Sequence, residues 1–303
     1  MPSRFFTGSF LMTKAKTLRR FSTEGWFFIA PLLLLLAVFI LYPVVMNIYY
    51  GFTAWKGFGQ EKWIGLGNYT KMVSDAKFWT SIGNTAILLL FIPISTLVTL
   101  GVAAMLREGL PGWTVFRSLL YVPNLLGVVV IGTAFNLILR DSGPINTFLM
   151  SAFGFSVPWL TSPVYSLLGT GLISIVWSPL GFGIIYFLAA MSSIEPSLYE
   201  SAAIDGAGPW TIFRHITVPS IRFSVEFWVV MSFINVFARM FGFIYVFSRG
   251  GPGFSTFTLE YGIYELAFNK FDPSYSSAWS TVLFIFCAFI SVAQIRLMKR
   301  NEA

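Results

Sequence analysis

The sequence is short of charge. Only 33 of its 303 side chains are charged, 20 basic and 13 acidic, against roughly a quarter in soluble domains, and the shortage excludes a soluble fold. It is also short of metal-binding and redox residues, with one cysteine, Cys287, and one histidine, His215. Neither a disulfide framework nor a zinc site with several Cys or His ligands can be built from them. Cys287 stands inside an apolar run and reads as a small residue facing lipid or neighbouring helices. No Gly-Lys dipeptide occurs, so there is no P-loop for a nucleotide. The net charge of +7 does not point to nucleic acid, because the Lys and Arg lie between apolar runs and not in a stripe interleaved with aromatics.

What is present is apolar surface, 56% of the chain, in long stretches free of charge. A helix crosses the hydrocarbon core, about 30 Å, with about 20 residues. Between Glu24 and Lys56 there are 31 uncharged residues, between Lys77 and Arg107 there are 29, and between Arg117 and Arg140 there are 22. These gaps predict spans near 26–50, 81–106 and 119–139. Gly143-Pro144, Gly154, Pro158 and Ser162-Pro163 break the first part of the next gap into loop, leaving a fourth span near 165–191. A fifth, near 223–247, contains Glu226 at its start and Arg239 inside it, and a sixth lies near 278–297. The expected fold is an all-α integral membrane protein of six transmembrane helices. Its parts are an N-terminal segment 1–25, one transmembrane domain 26–298 and a tail 299–303.

Lys and Arg are retained on the cytoplasmic side. With the N-terminus inside, the inner segments hold 12 of them and the outer loops seven, so both termini are expected in the cytoplasm. The four lysines Lys56, Lys62, Lys71 and Lys77 of the first outer loop narrow that margin. Arg19-Arg20 before an apolar run has the look of a signal sequence, but the run continues through Tyr42-Pro43, far beyond a signal core, with no small-residue cleavage site.

One inner loop, 193–219, carries a pattern. Pro196 suits a first helical turn and Gly206 the left-handed residue after a last turn. The loop therefore reads as a short helix over 196–205, a glycine turn, and a second helix from Pro209 that ends before Pro219. Ala202, Ala203, Gly206 and Ala207 form a low-relief face, with Leu198 and Tyr199 as apolar anchors beside it. Glu195, Glu200 and Asp205 would be repelled by anionic headgroups, so the loop reads as a site for docking a protein and not for resting on lipid.

Glu200-Ser201-Ala202, three residues, Gly206, nine residues, then Ile216-Thr217-Val218-Pro219 resembles the EAA loop of the inner-membrane permeases of binding-protein-dependent ABC transporters. Ser201 replaces the family's alanine and Val218 its leucine. Phe28-Ile-Ala-Pro31, Leu41-Tyr-Pro43, Gly67-Asn68-Tyr69, Tyr121-Val-Pro-Asn124 and Gly250-Gly-Pro252 with Thr258-Leu259 and Ile263-Tyr264 resemble the sugar-importing, maltose-type branch. The extra N-terminal helices and large outer domain of some members are not in this sequence. The resemblance implies a bacterial or archaeal plasma (inner) membrane protein, a second permease subunit as heterodimer partner, a cytoplasmic ATPase dimer that holds the ATP and Mg, and an extracytoplasmic binding protein that delivers a small solute. This chain would itself be no enzyme and hold no cofactor. The resemblance assigns coupling to the ATPase to Tyr199, Glu200, Ser201, Ala202, Ala203, Asp205, Gly206 and Pro219.

A charge inside the bilayer is costly, so Arg239 is expected to face the bundle or a cavity. Trp228, Ser232, Asn235 and Arg239 fall at i, i+4, i+7 and i+11, one helical face. An indole, a hydroxyl, an amide and a guanidinium suit a sugar ring, which needs an apolar surface and hydrogen-bond donors. They equally suit hydrogen bonds to a neighbouring helix. Trp177 and Ser178 are candidates for the same path, and Arg239 also fits a phosphorylated solute. Glu226 lies on another face and is expected to pair with Arg222 one turn away. Two rival classes fit less well. A secondary transporter or channel working without an ATPase calls for intramembrane acids, and a membrane-embedded transferase for clustered His, Asp or Glu.

Overall fold

A computed structural model describes residues 23–107 and 112–301. Residues 1–22, which hold five of the basic residues assigned to the inside, lie outside the described residues, as do 108–111 and 302–303. Contacts divide the chain into two units, 1–46 and 47–303. In the first, the helix Thr23–Leu36 passes through a π turn at Ala37–Leu41 into the helix that begins at Tyr42. Together Trp26–Gly51 are long and apolar enough to cross a membrane.

In the second unit the same holds for Ala76–Arg107, Pro163–Met191 and Pro273–Arg296. The remaining two expected spans are bent. Ser118–Leu125 and Val128–Ile138 meet at 102°, and Pro209–Ser220 and Arg222–Ala238 at 76°, so the total reaches six if each pair crosses once. The third expected span, 119–139, is thus not straight. Pro123 withholds a backbone donor and Gly127 is extended (φ −62°, ψ 143°), which breaks the helix between them. The fifth, expected over 223–247, stops at Ala238; Arg239 leaves helical geometry (φ −141°) and a short helix resumes over Phe241–Phe247. Arg239 therefore stands at a helix end, not inside a continuous helix.

Among the described residues, three of the four π turns end two residues before a proline: Ala37–Leu41 before Pro43, Leu172–Trp177 before Pro179, and Phe213–Thr217 before Pro219. In each, the residue preceding the proline donates to the carbonyl five positions back: Tyr42 to Ala37, Ser178 to Ile173 and Val218 to Phe213. A proline has no N–H and its ring collides with the carbonyl four residues earlier. The wider turn makes room for the ring, and the helix continues. For this reason the second loop helix runs from Pro209 to Ser220 and does not end before Pro219 as the sequence led us to expect.

Spans two, three and five pack against glycines of span four. A Cβ on Gly181 would lie 2.1 Å from the Leu120 carbonyl oxygen, and one on Gly183 would lie 2.6 Å from the Trp228 ring. Close helix approach in a bilayer depends on such small residues. At the end of the bundle away from the 193–219 loop, the irregular segment 248–258 is held by side chains of three spans. Asn84 donates to the Phe254 and Phe257 carbonyls, Asn136 to Phe247 and Ser166 to Gly251. These side-chain amides and the hydroxyl satisfy carbonyls that no helix pairs.

The segment joining the first two spans forms a two-stranded hairpin, Thr53–Ala54 with Lys62–Trp63, and a helix, Gly67–Val73. Asn68, buried, donates to the carbonyls of Gly51 and Thr53, which fixes the end of the first helix. Lys56 and Lys71 both reach Asp272, at 3.1 and 3.5 Å, and Lys77 lies over the Phe254 ring. Three of the four lysines that narrow the basic-residue margin thus have specific partners, all between spans five and six.

Candidate functional site

The loop between spans four and five is built much as its prolines and glycine dictate. The first helix is Pro196–Ile204, with Pro196 in its opening turn. Asp205 closes it, and Gly206 takes φ +73°, the left-handed region that glycine enters without a Cβ penalty. The Ala207 N–H donates to the Ala202 carbonyl and the Gly206 N–H to Ala203, satisfying the last carbonyls of the helix. Space outside Gly206 is open, with nothing within 4 Å of where a Cβ would stand.

Which side faces outward differs from the small-residue face drawn from the sequence. Ala202 is turned inward (8% exposed), and Tyr199 is half-buried beneath Arg107, whose guanidinium lies 3.6 Å from the ring centroid. The Tyr199 hydroxyl meets that of Thr217 at 3.2 Å. The contact of Tyr199 with Arg107 fastens the loop to span two, and that with Thr217 ties the loop's two ends together. Glu200, Ser201, Ala203, Asp205, Gly206 and Pro219 are exposed. Beside them stand Leu198, Ile204 and Trp210, the last two 87% and 70% exposed. Ile204 and Trp210 escaped the sequence reading; their one signal is that bulky apolar residues directly flank the glycine turn. Arg222 and Glu226 form the expected pair, Nε to Oε1 at 2.7 Å.

The second place is a cavity of about 630 Å³ between spans three, four and five. Trp228, Ser232, Asn235 and Arg239 all line it, as does Ser178. Trp177 does not; its ring packs on Phe135 with centroids 5.0 Å apart. The π turn at Leu172–Trp177 shifts the register by one residue, about 100° of rotation, and Ser178 takes the inward position. Trp228 is a wall and not a stacking platform. It is 6% exposed, sits in the space left by Gly183, and has Phe182 and Tyr186 nearly parallel to it at 6.2 and 5.9 Å. Open ring surface is supplied by Phe182 and Phe227, 50% and 39% exposed, which sequence reasoning missed. Ser232 donates to the Trp228 carbonyl at 2.9 Å, while the side chains of Asn235 and Arg239 make no hydrogen bond among the described residues. Asn124, from the bend in span three, also lines the cavity.

A bundle of bent and straight apolar helices with a central cavity, and a surface loop braced against one span, belongs to the class of polytopic membrane transport components. The profile described as "Binding-protein-dependent transport system inner membrane component" matches residues 98–300, and the chain belongs to this family. It is 33% identical over 281 residues to a probable ABC transporter permease of Pyrococcus horikoshii, covering 91% of this chain and 95% of that one. It is 31% identical over 287 residues to the lactose transport system permease LacF of Rhizobium radiobacter, covering 92% and 95%. In fold it is similar to a chain of a bacterial alginate ABC transporter crystallised with an alginate pentasaccharide-bound periplasmic protein, with TM-score 0.79, 22% identity and coverage of 92% and 96%. The chain is therefore a multi-pass inner-membrane permease subunit of an ABC importer, and not the ATP-hydrolysing enzyme.

Proposed function

We propose that this chain, with a second permease subunit, forms the path for a carbohydrate handed over by an extracytoplasmic binding protein, in a bacterial or archaeal plasma membrane with both termini in the cytoplasm. A pair of cytoplasmic ATPases, which hold the ATP and Mg, drives the cycle through the 193–219 loop. Relatives named for lactose transport, starch degradation products and multiple sugars support the carbohydrate reading.

The observation that carries the coupling role is the division of the loop into two faces. Tyr199 and Ala202 point into the bundle, while Leu198, Ile204 and Trp210 are exposed beside Glu200 and Asp205. Exposed apolar side chains ringed by charge mark a protein interface. Ile204→Asp and Trp210→Ala should still insert in the membrane yet lose most co-purification with the ATPase. Vesicles of the assembled importer should take up sugar only with ATP and the binding protein. Uptake by this chain alone on an ion gradient would overturn the proposal.

A further inference from the structure

We infer that the cavity is built for an anionic carbohydrate, one bearing a carboxylate or a phosphate, and that Arg239 is the residue that selects it. The inference rests on the carbohydrate reading above and adds the charge of the cargo.

Among the described residues, the cavity is lined by one ionised side chain and by no acid. Arg239 lines it, and none of the lining residues is an Asp or Glu. The ion pairs among the described residues are Lys56 and Lys71 with Asp272, and Arg222 with Glu226; Arg239 takes part in none. Its position is fixed by the chain, because its N–H donates to the Asn235 carbonyl at 2.9 Å where the helix ends. Immediately beyond, the Glu260 carboxylate is occupied with the Phe241 N–H at 2.7 Å. The five donors of the Arg239 guanidinium make no hydrogen bond among the described residues.

The other polar groups of the cavity are neutral. The Trp228 Nε1–H is buried and has no acceptor. The Asn124 and Asn235 amides line the cavity with no partner among the described residues. A neutral sugar hydroxyl both donates and accepts, and would leave the guanidinium uncompensated. A carboxylate or phosphate only accepts, and Arg binds either in a bidentate fork. The sugar ring then lies against Phe182 and Phe227, whose faces are open. Arg239 is exposed to the cavity, so its guanidinium is open to a charged cargo, and preference for that cargo follows from the charge it offers.

The test uses the assembled importer, this chain with its second permease and ATPase pair, in lipid nanodiscs, without the binding protein so that its selectivity does not intrude. Binding is measured calorimetrically for digalacturonate, glucose 1-phosphate and the neutral disaccharide lactose. One or both anionic sugars should bind at least about tenfold tighter than lactose. The arm that binds names the source of the charge. Arg239→Gln should bring the ratio of anionic to lactose affinity down to about one, and Arg239→Lys should keep part of the preference. Equal binding of charged and neutral sugars, with Arg239→Gln changing neither, would overturn the charge selection and leave the carbohydrate reading standing. Loss of the second permease from the Arg239→Gln complex would overturn it in favour of an ion pair across the permease interface. Failure of all three sugars to bind, in an importer whose ATPase activity is intact, would overturn both readings.

Discussion

The guanidinium of Arg107 lies 3.6 Å above the ring of Tyr199, so the last residue of span two's helix is joined to the first helix of the 193–219 loop. Tyr199 is joined in turn to Thr217 at the loop's far end. A push on the exposed side of the loop therefore has a route into span two that does not run along the backbone. Arg107→Ala and Tyr199→Leu should each lower the number of solute molecules imported per ATP hydrolysed, while assembly and ATPase activity persist. The contact is worth about 0.5–2 kcal/mol, which corresponds to roughly a two- to thirtyfold shift in the loop's equilibrium. An unchanged transport-to-hydrolysis ratio in both variants would remove this route.

Gly206 separates strain from obstruction. Its φ of +73° costs an ordinary residue about 1–2 kcal/mol, yet the space outside it is open. Gly206→Asn, which tolerates this conformation, should transport nearly normally. Gly206→Trp should insert and assemble with the second permease but lose ATP-driven uptake, because the indole occupies the partner's approach. Normal uptake by Gly206→Trp would defeat the assignment of this turn to coupling.

Gly181 is a packing residue. With a Cβ 2.1 Å from the Leu120 oxygen and 2.5 Å from the Tyr121 Cα, Gly181→Ala must push two helix backbones apart, at about 1–3 kcal/mol. Gly101→Ala, with nothing within 4 Å, is the control. Thermal melting in detergent followed by size exclusion should show Gly181→Ala several degrees below the parent and Gly101→Ala level with it. Equal melting of the two would show that span four yields more easily than its backbone contacts imply.

Glu260 makes stability depend on pH. Burial raises its carboxyl above the ordinary glutamate range, with the N–H groups of Phe241 and Met240 pulling the other way. A raised folded-state pKa means that the folded protein holds the proton more tightly than the unfolded chain. The resulting stability is full below the ordinary glutamate range and is lost as pH rises through the raised value. Glu260→Gln keeps an acceptor for Phe241 and should flatten this fall, matching or exceeding the parent at neutral pH. Glu260→Ala should lose about 0.5–2 kcal/mol at every pH, as a helix loses its cap. A melting curve whose pH dependence is the same in the parent and in Glu260→Gln would refute the assignment.

Much of the architecture was legible in charge spacing. The helices Ala76–Arg107, Pro163–Met191 and Pro273–Arg296 overlie the spans expected over 81–106, 165–191 and 278–297, because an unpaired charge is too costly to leave in hydrocarbon. The bends were not legible from hydropathy, which records how apolar a stretch is and not its direction. Pro123 and Gly127 were available as a signal for the first; Arg239-Met240 contains no breaking residue at all. Trp177 and Ser178 differ by one position in sequence and by a whole face in the bundle, since a π turn rotates everything after it.

The sequence by itself determined that this is a membrane permease with no P-loop, and it delimited the 193–219 loop through Pro196, Gly206 and Pro209, whose backbone limits act locally. Only the tertiary structure decided which faces those elements present. Tyr199 turns inward because Arg107 and Thr217 wait for it, and Ile204 and Trp210 are left outside. Trp228 becomes a wall because Gly183 makes room for it. Arg239 lines a cavity whose lining residues include no acid, because the bends in spans three and five bring neutral side chains around it. Local chain limits set where elements begin and end; burial among neighbours from other elements sets what each side chain can touch.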